Sequence, residues 1–221
     1  MTNSTALVAG ATGLIGSHLL DLLLTSPSHE KVIAVTRRPL DRTHDKLSNL
    51  VADFDQLEIA VSQSGIRAGE AYCALGTTIK KAGSKEAFRK VDYDYETAFA
   101  RAALAAGATK FALVSAVGAD PKSPIFYSRV KGETETAIRD LGFASTHIFQ
   151  PGVLLGERTE SRPAEQLAAA LTPMLNLGLQ GPFRKYRGID AKTVAEAMMT
   201  ALHSDRPSAV HRYDAMVKAT R

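Results

Sequence analysis

Apolar residues along this 221-residue chain alternate between two patterns: short, near-continuous runs, and longer stretches where they recur at helical spacing. The runs predict buried strands and the stretches predict amphipathic helices. Ala6-Leu-Val-Ala-Gly10 reads as a first strand, followed by a helix from about Ile15 to Thr25 and a breaker at Ser26-Pro27-Ser28. Lys31 to Thr36 is a second strand, Leu50 to Phe54 looks like the end of a third, and a short helix from Asp55 carries Leu57, Ile59, Ala60 and Val61. A fourth strand, Ala71 to Leu75, runs into the turn Gly76-Thr77-Thr78. A long helix is predicted from about Ser84 to Ala106, with Ser84 and Glu86 in its first turn and Gly107 at its stop. Lys110 to Ser115 is a fifth strand, Phe126 to Leu141 a helix closed by Gly142, and Ala144 to Phe149 a sixth strand. Beyond the break at Gln150-Pro151-Gly152 the pattern predicts a helix around Pro163 to Leu171, a Gly/Pro-punctuated stretch to Gly188, and a helix from Ala191 to Leu202.

Strands alternating with helices at this spacing predict an α/β fold, a doubly wound parallel sheet with helices on both faces. The length suits a single domain, residues 1–221, in which 152–190 form a small cap on the substrate side.

Composition changes this picture little. A hydrophobic content of 45% with 23% charged residues is ordinary for a globular protein. The net charge of +4 comes from scattered Lys and Arg, which argues against nucleic-acid binding and fits an anionic small ligand. The single Cys73 lies in an apolar run and reads as a buried residue, so no disulfide framework arises within the chain. The six histidines show no metal-ligand spacing, and no metal site is expected; His18 and His147 read as packed or capped. No apolar run reaches the roughly 18–20 residues of a membrane span, and Met1 to Thr5 lacks the basic segment of a secretory leader. A cytoplasmic protein is expected.

The chemistry begins at the first turn. Gly10, Gly13 and Gly16 stand between the first strand and the first helix, where small residues let a ligand approach the main chain and the helix N–H groups face a pyrophosphate. The second strand ends in Arg37-Arg38 with no acid until Asp41. An acid at that offset would bind a ribose 2′-hydroxyl, whereas arginine accommodates a 2′-phosphate, so the pair points to NADP(H) over NAD(H). Tyr127 and Lys131, four apart, share one face of a predicted helix. A free phenol has a pKa of about 10, and an ammonium one turn away favours the phenolate. Ser115 ends the fifth strand at the sheet edge where ligands bind in such folds, and its hydroxyl could hold the carbonyl oxygen that Tyr127 protonates.

With these residues in hand, the sequence resembles the short-chain dehydrogenase/reductase superfamily, on Gly10-Ala-Thr-Gly13-Leu-Ile-Gly16, Ser115 and Tyr127-Ser-Arg-Val-Lys131. Within it the chain is most similar to the atypical family that includes the human Tat-interactive oxidoreductase homologue. That closer likeness rests on Ala74-Leu-Gly-Thr-Thr78, Lys81-Ala-Gly83, Val91-Asp-Tyr-Asp-Tyr95, Val114 to Asp120, Lys131-Gly-Glu133, Pro151-Gly-Val-Leu-Leu155 and Glu160-Ser-Arg-Pro163. The resemblance implies a Rossmann fold and a set of cofactor contacts. Gly10, Thr12, Gly13, Leu14 and Ile15 would line the pyrophosphate turn, Arg37 and Arg38 the 2′-phosphate, and Asp53 with Phe54 the adenine. Leu75, Gly76 and Thr77 would pass the middle of the cofactor; Lys131 would hold the nicotinamide ribose, and Pro151, Gly152 and Val153 would approach the nicotinamide. Ser115, Tyr127 and Lys131 would be catalytic.

Two departures stand out. Gln150 precedes Pro151 where many relatives carry Arg, and the long helix has Asp92 near the place where the short branch of the superfamily has a relay Asn. Arg158 and Arg162 could face the substrate or be solvated, and Phe183-Arg-Lys-Tyr-Arg187 reads as an exposed basic-aromatic patch. Apolar faces over Val91–Leu104 and Phe126–Ile138 could support a homodimer or simply face the core. The expected function is hydride transfer with a small, unnamed carbonyl or alcohol. A cofactor-holding regulatory or scaffold protein is the other reading; a nucleotide-sugar epimerase fits less well, because the chain after Gly152 is short.

Overall fold

The computed structural model describes residues 4–156, 180–204 and 207–220. Seven parallel strands form one sheet in the order β3-β2-β1-β4-β5-β6-β9. They are β1 (Ser4–Ala9), β2 (His29–Thr36), β3 (Leu47–Val51), β4 (Glu70–Cys73), β5 (Lys110–Val114), β6 (Ser145–Phe149) and β9 (Ala209–His211). Chain direction reverses its march across the sheet between β1 and β4, which creates the crevice where doubly wound folds take their ligands.

Strand alternation decides which helices cover which face. Val8, Val32, Ala34, Tyr72, Ala112 and Phe149 point to one side. There they meet the leucines of α1 (Leu14–Thr25), the Val194–Met198 face of α7 (Ala191–Leu202), and Met216 of α8 (Tyr213–Ala219). Their neighbours Leu7, Ile33, Val35, Cys73, Phe111 and Ile148 point to the other. That side is covered by α2 (Leu57–Gln63), α5 (Glu96–Ala105) and α6 (Phe126–Asp140). Strands apolar on both faces are what a central parallel sheet requires. Phe99, Ala103 and Ile138, within the two faces considered for a dimer, pack into this second core.

The predicted Ser84–Ala106 helix is continuous but not uniform. Ser84 accepts a hydrogen bond from the Ala87 N–H (3.0 Å) and opens α4 (Lys85–Arg89). A π-helical turn, Lys90–Tyr95, then leads into α5. Such turns recur at functional sites because the extra residue re-aims side chains. Before it, a short α3 (Ile79–Ala82) lies between β4 and α4.

Past Leu202 the chain adds β9 and α8, which the hydrophobic pattern does not announce: a three-residue edge strand is too short to show a period, and α8 has Met216 as its buried residue. A second, two-stranded sheet pairs β7 (Leu154–Leu155) in parallel with β8 (Ile189–Asp190), the latter preceded by a 3-10 turn at Gly181–Tyr186. Phe183 and Tyr186 of that turn are exposed, as the basic-aromatic patch predicts. The helix predicted at Pro163–Leu171, together with Arg158 and Arg162, lies outside the described residues.

Candidate functional site

The glycine turn sits at the carboxyl end of β1, on the crevice. Gly10 has φ +83°, a left-handed backbone, and a Cβ there would lie 2.3 Å from the Ala74 carbonyl oxygen. Gly16, in the first turn of α1, lies so close to the loop that a Cβ would fall 2.0 Å from the Gly10 oxygen. Both contacts are backbone to backbone and admit no side chain. Gly13 donates its N–H to the Gly10 oxygen (2.9 Å), and no side chain among the described residues caps the helix it opens. The exposed Thr12 and Gly13 and the half-buried Leu14 therefore form the outer rim of an uncapped helix amino terminus, which suits a phosphate. Ile15 turns inward to the core, and Gly156 packs against the Leu14 side chain.

Arg37 and Arg38 are exposed on the loop after β2, and that loop is fastened from beneath. Thr36 Oγ1 donates to the Arg38 carbonyl (2.6 Å), while the Asn49 side chain donates to Ala34 O and Thr36 Oγ1 and accepts from Leu40 N–H. Asn49 carries no motif and was missed from sequence. Asp53 accepts from the Asp55 N–H and starts a 3-10 turn, Phe54–Gln56. Phe54, which the resemblance places with Asp53 at the adenine, has its ring buried edge-on against Tyr95 at 5.5 Å. Core demand claims the ring and leaves Asp53 beside it exposed.

Ser115 follows β5 directly, its N–H donating to Phe149 O at 2.7 Å. Its Oγ is buried without a hydrogen-bond partner among the described residues, where a buried hydroxyl ordinarily has one. Tyr127 lies half-buried on the first turn of α6, 5.3 Å from the Phe88 ring. Lys131, one turn on, is gripped by two fully buried carboxylates: Nζ lies 2.7 Å from Asp92 Oδ1 and 2.9 Å from Glu96 Oε1. Asp92 Oδ2 also accepts the Thr77 N–H (2.9 Å), so the turn after β4, with Leu75, Gly76 and Thr77, is tied to the same clamp.

The electrostatics correct one expectation. Burial opposes the Lys131 ammonium, but Glu96 and Asp92 outweigh it and raise its pKa. Burial pushes the Glu96 carboxyl up to about 8, against the pull of Lys131 and with added repulsion from Asp92 and Glu135. At Tyr127 burial also raises the pKa; Lys131 pulls it down as anticipated, but Asp92 and Glu96 push the same way as burial, and the net shift is upward. The lysine's field is largely spent on its own carboxylates. The Cys73 thiol, buried below, is likewise pushed up by burial and fits its reading as a core residue.

Gln150 stands in a buried polar chain: its Nε2 donates to Glu135 Oε1 (2.8 Å) and its Oε1 accepts from Arg212 Nε (3.1 Å). The side chain is thus committed inside the protein. Pro151 O accepts from Val117 N–H (3.0 Å), Gly152 packs against the backbone of Tyr186 and Arg187, and Val153 is exposed. The structure so brings the glycine turn, the Leu75–Thr77 turn, Ser115, Tyr127, Lys131 and the Pro151–Val153 loop to the carboxyl edge of one sheet. Glu96, Asn49, Glu135 and Arg212 were missed. Glu96 had a readable signal: it falls in phase with Phe88, Asp92, Phe99 and Ala103 on a buried helix face.

The chain matches the family described as NAD(P)H-binding over residues 10–205. Protein HTATIP2 of Rattus norvegicus is 40% identical over 172 residues, 76% of this chain and 70% of that protein. Protein FMP52, mitochondrial, of Lodderomyces elongisporus is 41% identical over 170 residues, 73% of this chain and 71% of that protein. Among solved structures, MoeE5 in complex with UDP-glucose and NAD has a TM-score of 0.68 at 21% identity, covering 93% of this chain and 74% of that one. UDP-N-acetylglucosamine 4-epimerase from Methanobrevibacter ruminantium M1 has a TM-score of 0.70 at 17% identity, covering 96% and 77%. At these identities the structures bear out the fold alone, while the relatives bear out the resemblance carried by the motifs.

The relatives overturn one expectation. Those from Lodderomyces elongisporus, Emericella nidulans and Candida albicans are named mitochondrial, which points away from a plain cytoplasmic protein. That expectation rested on a leader's basic segment and on apolar spans, features that speak to secretion and membrane crossing and not to an organelle address. Among the described residues no helix is long and apolar enough to cross a membrane.

Proposed function

Because the chain belongs to the NAD(P)H-binding family, we propose that it is an NADP(H)-dependent oxidoreductase acting on a small carbonyl or alcohol. The observation that carries the reading is the buried Asp92–Lys131–Glu96 clamp, which fixes Lys131 one helical turn from Tyr127 and beside the Gly76–Thr77 turn. The residues fit the cofactor: the uncapped amino terminus of α1 suits its pyrophosphate, the exposed Arg37 and Arg38 suit a 2′-phosphate, and Lys131, beside the Gly76–Thr77 turn, would hold the nicotinamide ribose. When bound, the nicotinamide supplies or accepts the hydride. Ser115 Oγ, a buried donor without a partner among the described residues, holds the substrate oxygen. Tyr127 delivers the proton to that oxygen, and its upward-shifted pKa keeps it protonated until then. Lys131 is positioned by Asp92 and Glu96 and limits how far the Tyr127 hydroxyl rises.

Tyr127→Phe tests the assignment. Turnover over a panel of aldehydes and ketones should fall by at least about a hundredfold, with NADPH affinity nearly unchanged. Full activity in that variant would overturn the mechanism. Tight NADPH binding with no turnover of any panel member by the unmodified protein would favour a cofactor-sensing scaffold.

A further inference from the structure

The opposite edge of the sheet carries a second cluster of chemical side chains. His29 opens β2 and Glu70 opens β4, the two strands flanking β1, so parallel pairing sets both at the amino-terminal edge. His203 follows the last turn of α7, which packs over the same face. His29 Nε2 is in direct contact with Glu70 Oε1, and His203 Nε2 lies 3.6 Å from that oxygen. The two imidazoles face each other with ring centres 5.0 Å apart. Along the chain these residues are too far apart to show a ligand spacing; the fold assembles them.

We propose that His29, Glu70 and His203 form a zinc site at the amino-terminal edge of the sheet, separate from the cofactor crevice. Two imidazoles and one carboxylate are a known zinc donor set, which leaves a fourth position for water. One ligand atom from each residue lies within 4.8 Å of the others. Ligand atoms around a tetrahedral zinc with bonds of about 2.0–2.1 Å sit about 3.3 Å apart. The His203–Glu70 separation is already near that value, and the His29–Glu70 contact has to open for the ion to enter. Tyr72, fully buried, donates its hydroxyl to Glu70 Oε1 at 3.0 Å, the kind of outer hydrogen bond that orients a ligating carboxylate. His29 and Glu70 are buried while His203 is part-exposed, which gives the ion a way in. Nitrogen and oxygen donors in this number favour zinc over magnesium or calcium, which demand six or more oxygens. The bound ion would staple β2, β4 and the end of α7.

The test uses the untagged full chain, stripped with chelator and titrated with zinc chloride by calorimetry, alongside His203→Ala, Glu70→Gln and the surface control His44→Ala. The expected result is one zinc per chain with micromolar or tighter affinity and a raised unfolding midpoint. His203→Ala and Glu70→Gln should each lose at least about tenfold in affinity, and His44→Ala should lose nothing. Cobalt in place of zinc should give the visible absorption of a tetrahedral site, absent in His203→Ala. Absence of saturable one-to-one binding, or equal affinity in His203→Ala, would show a metal-free hydrogen-bonded clasp and overturn the proposal. NADPH affinity should be the same with and without zinc, so the result stands apart from the oxidoreductase reading.

Discussion

Replacing Lys131 with methionine removes the cation from between two carboxylates that have no solvent exposure. Breaking a buried ion pair from one side costs about 3–5 kcal/mol, because the remaining charge is left uncompensated. Here one carboxylate has an escape: Glu96, raised to about 8 even beside Lys131, is mostly protonated at neutral pH and stays neutral when the cation is gone. Asp92 keeps the Thr77 N–H but loses its ion partner. The cost therefore sits near the lower end, about 3 kcal/mol, against a total stability of about 5–15 kcal/mol for a domain. For a chain of this size each kcal/mol moves the unfolding midpoint by about 2–4 °C, so a drop of about 6–12 °C is expected at neutral pH. Differential scanning calorimetry and urea unfolding read it. Adding Glu96→Gln to Lys131→Met should recover part of the loss, since the amide needs no counter-charge. A Lys131→Met protein as stable as the parent, or a double variant no better than the single, would refute the buried clamp.

Glu96 also sets a pH dependence. Its folded pKa of about 8 lies above its ordinary value of 4.5, so the folded chain holds a proton that the unfolded chain has released. That stabilisation is complete below pH 4.5 and is lost as pH rises toward 8, at up to about 1.4 kcal/mol per pH unit; Lys131, Asp92 and Glu135 are the charges facing it. Urea midpoints measured across that window should fall with pH in the parent and fall less in Glu96→Gln. Arg37→Ala and Arg38→Ala should weaken NADPH by about tenfold or more while leaving NADH nearly untouched, read by fluorescence titration; equal losses for both would refute the 2′-phosphate assignment. Gly16→Ala pushes a methyl to 2.0 Å from the Gly10 oxygen. It should cost at least about 1–3 kcal/mol and weaken both cofactors together, measured by melting and titration.

The hydrophobic pattern makes the layered sheet legible because strands such as β1 and β2 feed both cores at once: Leu7 goes one way and Val8 the other. The positions of the glycine turn, Ser115 and the Tyr127–Lys131 pair at the sheet's carboxyl edge are legible for a similar reason, since they follow from local spacing. What failed to show in the sequence depends on distance. Asp92 and Glu96 meet Lys131 from 35 or more positions away, so no window of sequence contains both halves of the clamp. The π-helical turn that sets Asp92 and Glu96 shifts the period by one residue, which looks the same as ordinary irregularity in a string of letters. Nor does the sequence show that the Phe54 ring packs edge-on against Tyr95, a partner 41 positions away.

The clamp also gives the proposed chemistry a direction. Carbonyl reduction needs a proton donor still carrying its proton, whereas alcohol oxidation needs a phenolate to receive one. Burial and the carboxylates of Asp92 and Glu96 disfavour the Tyr127 phenolate, and Lys131 offsets them only in part. Protonation of Glu96 below about pH 8 removes one of those negative charges, so the penalty on the phenolate is set by a second titrating group one helix away. Two groups that repel through a shared lysine titrate as a unit. Tyr127 therefore stays a donor through neutral pH chiefly because burial disfavours its phenolate, and an ionised Glu96 adds to that penalty only as pH approaches 8. In that arrangement Lys131 acts less as the activator of a base than as the counter-charge that lets three acidic groups share one site.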